Sequence, residues 1–261
     1  MNPIERKMLD LLKKMKNECG ALAVKAEFEA EGIRTQELVM LNEVVLRADM
    51  TLIVKIGGCE AVRDLDECRM LGAGGIIAPM VETPYAMKKF SEAANRVYQE
   101  QAGDIEWIIN AETVTSHQNL DEILNVGAGF LNTVTIGRDD YAGSMGLDRA
   151  ELNGERMLER TLDIARRVKA CGCRVGLGGG ISVNAIPFLR GMDGYIDKFE
   201  TRKVAFAAGA DEGCLRDGIT SAIEFEMLYL QNKCGYYGRM AREDEGRLDE
   251  MRRRLGESAG R

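Results

Sequence analysis

A single histidine, His117, is all the imidazole that 261 residues offer. That disfavours a zinc site built on several histidines, and equally a Ser-His-Asp triad. The seven cysteines, at 19, 59, 68, 171, 173, 214 and 234, are odd in number and scattered, with only Cys171 and Cys173 close together. They make neither a disulfide framework nor a paired zinc-knuckle spacing. Each therefore reads as a small buried hydrophobe, and a reducing cytoplasm is the simplest setting. No apolar run approaches the length that spans a bilayer. Positive charge is not in excess: 35 Lys and Arg face 42 Asp and Glu, a net charge of −7, and the arginines are interleaved with acids. A nucleic-acid partner is disfavoured on that ground. The nucleotide-binding signatures Gly-x-Gly-x-x-Gly after the first strand and Gly-Lys-Ser/Thr in a phosphate loop are missing too.

What is present is a globular balance, 45% hydrophobic and 30% charged, in a length that α/β barrels use as one domain. Residues 1–261 read as a single barrel domain, with an N-terminal helix over 1–18 and a C-terminal helical extension over 215–255. The opening "MNPIERKMLDLLKKMKNE" could pass for a basic leader, but Ile4, Met8, Leu11, Leu12 and Met15 recur at helical spacing. Asn2 can cap, Pro3 suits the first helical position, and Glu5 completes a capping box, so the segment reads as an amphipathic helix rather than a signal peptide.

Beyond it, short runs rich in Val, Ile and Leu alternate with helical stretches. Seven runs read as strands: "GALAVKAEFE", "MTLIVKIGG", "GGIIAPMVE", "IEWIINAE", "LNTVTIGRDD", "RVGLGGGIS" and "GYIDKFETRK". No eighth is evident. Thr83 is placed to cap a helix starting at Pro84, and Asn119 one that carries Glu122. Repeated strand-then-helix predicts a parallel sheet, and nearly continuous apolar strands fit one covered on both faces. Almost every run ends in charge or glycine. A closed (β/α)8 TIM barrel gathers all such ends at one mouth, whereas an open doubly wound sheet gathers them near one switch point, so the barrel is predicted. Late in the chain, Ile219, Ile223, Met227 and Leu230 form a stripe for packing on the barrel or on a neighbouring subunit. With Tyr236 and Tyr237 it predicts a homo-oligomer held by this region. The charged tail beyond reads as a solvated helix.

Strand alternation puts Lys25 with Glu27, Asn110 with Glu112, and Lys198 with Glu200 on common faces, each pair able to look into the mouth. Ions there should bind one another, a metal or a charged substrate. Glu112 ends one strand, and "IGRDDYAGSMG" supplies Asp140 about one βα unit later. Two carboxylates on adjacent strand ends suit Mg2+ or Mn2+ better than zinc. Two other readings stay open: a Schiff-base aldolase using Lys55, Lys25 or Lys198, and a non-catalytic barrel subunit that binds a carboxylated or phosphorylated metabolite. His117 reads as a solvated first-turn residue. "GLGGGIS", residues 176–182, either exposes amides to a phosphate or packs tightly at the barrel rim.

The segments "AETVTSHQNLDEI" and "TIGRDDYAGSMG" resemble the metal-binding segments of the HpcH/HpaI aldolase/citrate lyase family, within the phosphoenolpyruvate/pyruvate barrel superfamily. The stretch "LIVKIGGCEAVRDLDECRMLGAGGIIAPMVETPYAMKKF" is similar to that family's run from its pyruvate-binding strand through its Pro-Met-Val strand, so the likeness covers roughly residues 50 to 147. It implies Glu112 and Asp140 as ligands of Mg2+ or Mn2+, and the backbone at Gly137, Arg138 and Asp139 as the seat of a pyruvate-like carboxylate. It further implies a carbon–carbon lyase or aldolase working through a metal-stabilised enolate, on a 2-keto acid and an aldehyde or acyl partner. Three departures stand out. Lys55 occupies the place of a substrate-binding arginine, Arg138 that of a proline, and the family's base histidine has no counterpart; "KAEFEAEGIR" offers Glu27, Glu29, Glu31 and Arg34 instead. Lys55, Arg138, Lys25 and Glu27 are accordingly the catalytic candidates, with Lys55 also a substrate-binding one.

Overall fold

Eight strands close into a barrel, and the last of them runs backwards. The computed structural model describes the backbone of residues 1–259 and the side chains of 1–257. The strands are β1 (Ala21–Glu27), β2 (Thr51–Lys55), β3 (Gly75–Ala78), β4 (Glu106–Ala111), β5 (Thr133–Gly137), β6 (Arg174–Gly178), β7 (Lys198–Glu200) and β8 (Val204–Ala207). From β1 to β7 each pairs parallel with the next, while β8 is antiparallel to both β7 and β1. The predicted TIM barrel is therefore present, but its sheet is not wholly parallel. Residues 201–203 alone separate β7 from β8. A parallel return needs a crossover of about a dozen residues or more, so this short link can only make a hairpin. Thr201 locks the turn, its amide donating to the Val204 carbonyl at 2.9 Å and its hydroxyl accepting from the Val204 amide at 3.1 Å.

Around the barrel lie α1 (Pro3–Cys19), α2 (Thr35–Arg47), α3 (Val62–Met70), α4 (Pro84–Tyr98), α5 (Val114–Gln118), α6 (Leu120–Gly127), α7 (Arg138–Ser144), α8 (Glu155–Ala170), α9 (Ile186–Gly191) and α10 (Glu212–Ala259). Asn2 and Glu5 form the expected capping box on α1, and Thr83 caps α4 by accepting from the Ala86 amide at 3.1 Å. Asn119 does not cap. Its side chain donates to the Glu82 carbonyl at 2.8 Å, and the short α5, capped by Thr113, precedes it.

Inside the barrel a small apolar layer of Ala23, Ile53, Ile77, Ile108 and Ala205 separates two polar ends. The floor is Glu106, at the start of β4. It accepts from Thr133 Oγ1 at 2.6 Å and Lys198 Nζ at 2.9 Å, and pairs with Arg174 at 3.1 Å. Lys198 was expected to look into the mouth beside Glu200 but reaches the floor instead. It lies in register with Gly176, where a Cβ would sit 3.4 Å from the Lys198 Cε, so the glycine leaves room for the descending stem.

The C-terminal helix also departs from expectation. At about 1.5 Å per residue its 48 residues extend roughly 70 Å, well past a barrel of this size. Leu215, Ile219, Ala222, Phe225 and Tyr229 are buried, and α1 is the element α10 packs against most. The stripe is thus split: Ile219 is inside, whereas Ile223, Met227 and Leu230 are exposed. Among the described residues no helix is long and apolar enough to cross a membrane.

Candidate active site

Parallel strands bring their C-terminal ends to one rim, and polar side chains there face one another. Lys25 lies with its Nζ 3.4 Å from Glu27 Oε1 and 3.6 Å from Glu200 Oε2. Lys55, at the end of β2, places its Nζ 2.8 Å from Glu29 Oε2. Burial alone would push its pKa down, but Glu112, Glu29 and Glu27 outweigh burial and the pKa is raised, so Lys55 is held as an ammonium.

Glu112 explains why an apolar strand ends in a carboxylate. It lies just beyond β4, 1% exposed, with Oε1 accepting from the Met80 amide at 2.9 Å and Oε2 from Asn110 Nδ2 at 2.8 Å. Burial raises its pKa; Lys55 and the two hydrogen bonds oppose the rise, and the charge of Asp140 adds to it. Gly137 makes the placement possible, since a Cβ there would fall 2.5 Å from Glu112 Oε2. Asp140 stands on the first turn of α7, its pKa raised by burial, lowered by Lys55, and raised again by Glu29, Asp139 and Glu27. Glu112, Asp140, Lys55, Glu27 and Glu29 therefore share one field. Counting Glu200 and Lys25, five carboxylates meet two ammonium groups.

Residues 34–177, more than half of the chain, match the HpcH/HpaI aldolase/citrate lyase family. The chain belongs to that family. Solved structures agree in fold: an HpcH/HpaI aldolase from Desulfitobacterium hafniense DCB-2 has 14% identity and a TM-score of 0.59, covering 72% of this chain and 89% of that one. Citrate synthase SbnG has 16% identity and a TM-score of 0.57, covering 84% and 98%. An HpcH/HpaI aldolase/citrate lyase family protein from Burkholderia cenocepacia J2315 has 14% identity and a TM-score of 0.58, covering 76% and 82%. No protein of curated function matches the chain. Membership places the protein among aldolases and lyases of small molecules.

Two of the HpcH/HpaI motif positions behave differently from their sequence reading. Arg138 does not present its guanidinium to the mouth. It is 0% exposed, donates to the carbonyls of Gly178, Gly179 and Leu152 and to Asn153 Oδ1, and lies 4.3 Å from the centre of the Phe188 ring. Burial lowers its pKa to about 10. It staples the start of α7 to the glycine loop after β6. That loop packs tightly: Gly179, at φ +80°, has no room for a Cβ, which would fall 2.5 Å from the Asp139 amide nitrogen. His117 is buried rather than solvated, bridging the Tyr141 hydroxyl at 2.7 Å and Asp163 Oδ2 at 2.8 Å.

The β7–β8 hairpin contributes one more cation. Arg202, about half exposed, lies 4.0 Å from both Glu27 and Glu31 and 3.8 Å from Glu226. Its only signal in the sequence is the basic pair in "ETRK", at the end of the seventh apolar run.

Proposed function

We propose that this HpcH/HpaI protein is a divalent-metal-dependent carbon–carbon lyase or aldolase acting on a pyruvate-type 2-keto acid, with Mg2+ or Mn2+ as cofactor. The observation that carries the reading is the surplus of carboxylate around Glu112 and Asp140, with Lys55 interacting with both. Mg2+ is characteristically held by one or two carboxylates, with water and substrate completing its shell. Among the described residues no three His, Cys, Asp or Glu side chains converge as an all-protein metal cage, so a site of that open kind is the one this donor set fits. Asn110 Oδ1 and Thr135 Oγ1, on residues paired between β4 and β5, are buried without a hydrogen-bond partner among the described residues, adding oxygen acceptors near Glu112. Glu112 and Asp140 would hold the ion, which supplies Lewis-acid polarisation of the 2-keto oxygen and stabilises enolate charge. Lys55 and Arg202 would attract the substrate's negative charge, the backbone at Gly137 to Asp139 would seat its carboxylate, and the Lys25–Glu27 pair would carry the proton. Arg138 positions that backbone rather than touching substrate.

The raised pKa of Lys55 weighs against the Schiff-base alternative, because an iminium lysine must be neutral to attack. Lys198 is committed to the floor. The test is exchange of the methyl protons of pyruvate in D2O, followed by NMR. Exchange should stop in EDTA and return with Mg2+ or Mn2+; exchange that persists in EDTA overturns the reading.

We also propose that the protein is a cytoplasmic homo-oligomer. Its support is α10, where Met240, Leu248, Met251 and Leu255 continue an exposed apolar series past the end of the barrel contacts. Deleting residues 239–261 should lower the mass measured by light scattering, with the barrel still folded. A soluble deletion of unchanged assembly state would refute it.

A further inference from the structure

On the outer side of α7, away from the barrel mouth, lies a cleft of about 300 Å³ between α5, α7 and α8. Asp140 and Tyr141 are consecutive on α7, about 100° apart around the helix. Asp140 interacts with Lys55 and the other groups of the mouth, while Tyr141 turns outward to His117. The cleft has an apolar wall of Val114 and Met145 and a polar wall of Gln118, Tyr141, Arg156 and Arg160.

The two arginines are the unusual feature. They stand one turn apart on α8, four residues from each other, an arrangement in which like charges destabilise a helix. Arg156 is moreover in the first turn, where a cation opposes the helix dipole. Among the described residues Glu155 and Glu159 on the same helix form no ion pair with either, and Asp163 is taken by His117 and by Arg167, at 2.8 and 3.6 Å. Among the described residues neither Arg156 nor Arg160 forms an ion pair or a hydrogen bond with a protein group. Both lie close enough to the Tyr141 hydroxyl to lower its pKa against the opposing effect of burial. Two exposed arginines that line one concave, partly apolar space, neither ion-paired among the described residues, match a doubly charged anion that accepts forked hydrogen bonds. A volume of about 300 Å³ suits a small molecule.

We propose that this cleft is a second binding site, taking a small dianion, a phosphate ester or a polycarboxylate, through Arg156 and Arg160. His117 forms its inner wall and is fixed at both ring nitrogens, so it reports on the site without supplying the anion's ligands. The site stands whether or not the barrel mouth holds a metal.

Because His117 is the only histidine in the chain, its imidazole carbon-bound protons give a single assignable set of NMR signals. Inorganic phosphate and, separately, citrate are titrated into the protein at fixed pH, with sodium chloride at matched ionic strength as control. At least one of the two anions should move the His117 signals saturably while chloride does not, and the one acting at lower concentration identifies the head group. In Arg156→Gln/Arg160→Gln the apparent affinity should fall by about 10-fold or more, the loss expected for a charge-assisted contact of about 1.4 kcal/mol or above. Glu112→Gln should leave the titration unchanged, which separates this cleft from the mouth. Signals that stay still with both anions, or that move equally in the double variant, overturn the proposal.

Discussion

Glu112→Gln and Asp140→Asn should each slow the exchange of pyruvate methyl protons by roughly 10²- to 10³-fold, the loss that follows removal of one preorganised charge-stabilising group. Each change deletes an anionic oxygen of the proposed cation site without changing side-chain size, so affinity for Mn2+ measured by titration calorimetry should fall with the rate. The fold should survive. In Glu112→Gln the remaining carbonyl oxygen can still accept from the Met80 amide, and the new NH2 can donate to Asn110, whose Oδ1 has no partner among the described residues, if that amide turns over. A thermal midpoint near that of the unaltered protein, together with lost metal binding, is the expected pair of results. Unchanged metal affinity in both variants would remove Glu112 and Asp140 from the site.

Glu106→Gln should lower unfolding stability by about 3 kcal/mol or more, because it strands the buried Lys198 ammonium without its anion. For a chain of this size that is a fall in Tm on the order of 6–12 °C. Burial pushes the Glu106 carboxyl up, but Lys198, Thr133 and Arg174 together hold its pKa below the ordinary value. A depressed carboxyl pKa stabilises the fold above the pKa of the unfolded chain, near 4.3, and that contribution is lost as pH falls through the folded value. Acid unfolding of the unaltered protein should therefore steepen below about pH 4, and the Gln variant should lack that component. Glu106→Leu combined with Lys198→Met should recover stability if the pair, rather than the volume, is responsible. Calorimetric scans across the acid range check all three statements, and an unaffected Tm in Glu106→Gln would show that the floor is not held by charge.

The difference between these two sites marks what was readable in the chain. Glu112 and Asp140 could be singled out because each ends an apolar run, and a charge at the end of a buried strand has few explanations. Lys198 was placed in the mouth by the same alternation that correctly set its face. Alternation tells which face a side chain takes, not whether a long stem climbs or descends; Gly176 across the register decided that. The direction of the Arg138 side chain is hidden from the sequence for a related reason. Its motif position touches the mouth through the backbone, while the side chain runs to carbonyls of the loop after β6 and of the α7–α8 connection, partners distant in sequence. His117 offered no signal at all, since a histidine one turn into a polar stretch is buried only once α7 and α8 close over it.

By itself the sequence determined the alternation of strand and helix, the caps of α1 and α4, the gathering of charge at strand ends and the position of Glu112 and Asp140 just beyond two adjacent strands. All of these depend on contacts within a few residues or on periodicity, which local sterics and hydrophobic patterning dictate. Only the tertiary structure decided the reversed eighth strand, the splitting of the α10 stripe, the polar floor and the burial of Arg138. Those depend on what a segment meets from far along the chain: the short link after β7 allows β8 only a hairpin, but it is the pairing of β8 with β1, from the other end of the chain, that makes the reversed strand close the barrel.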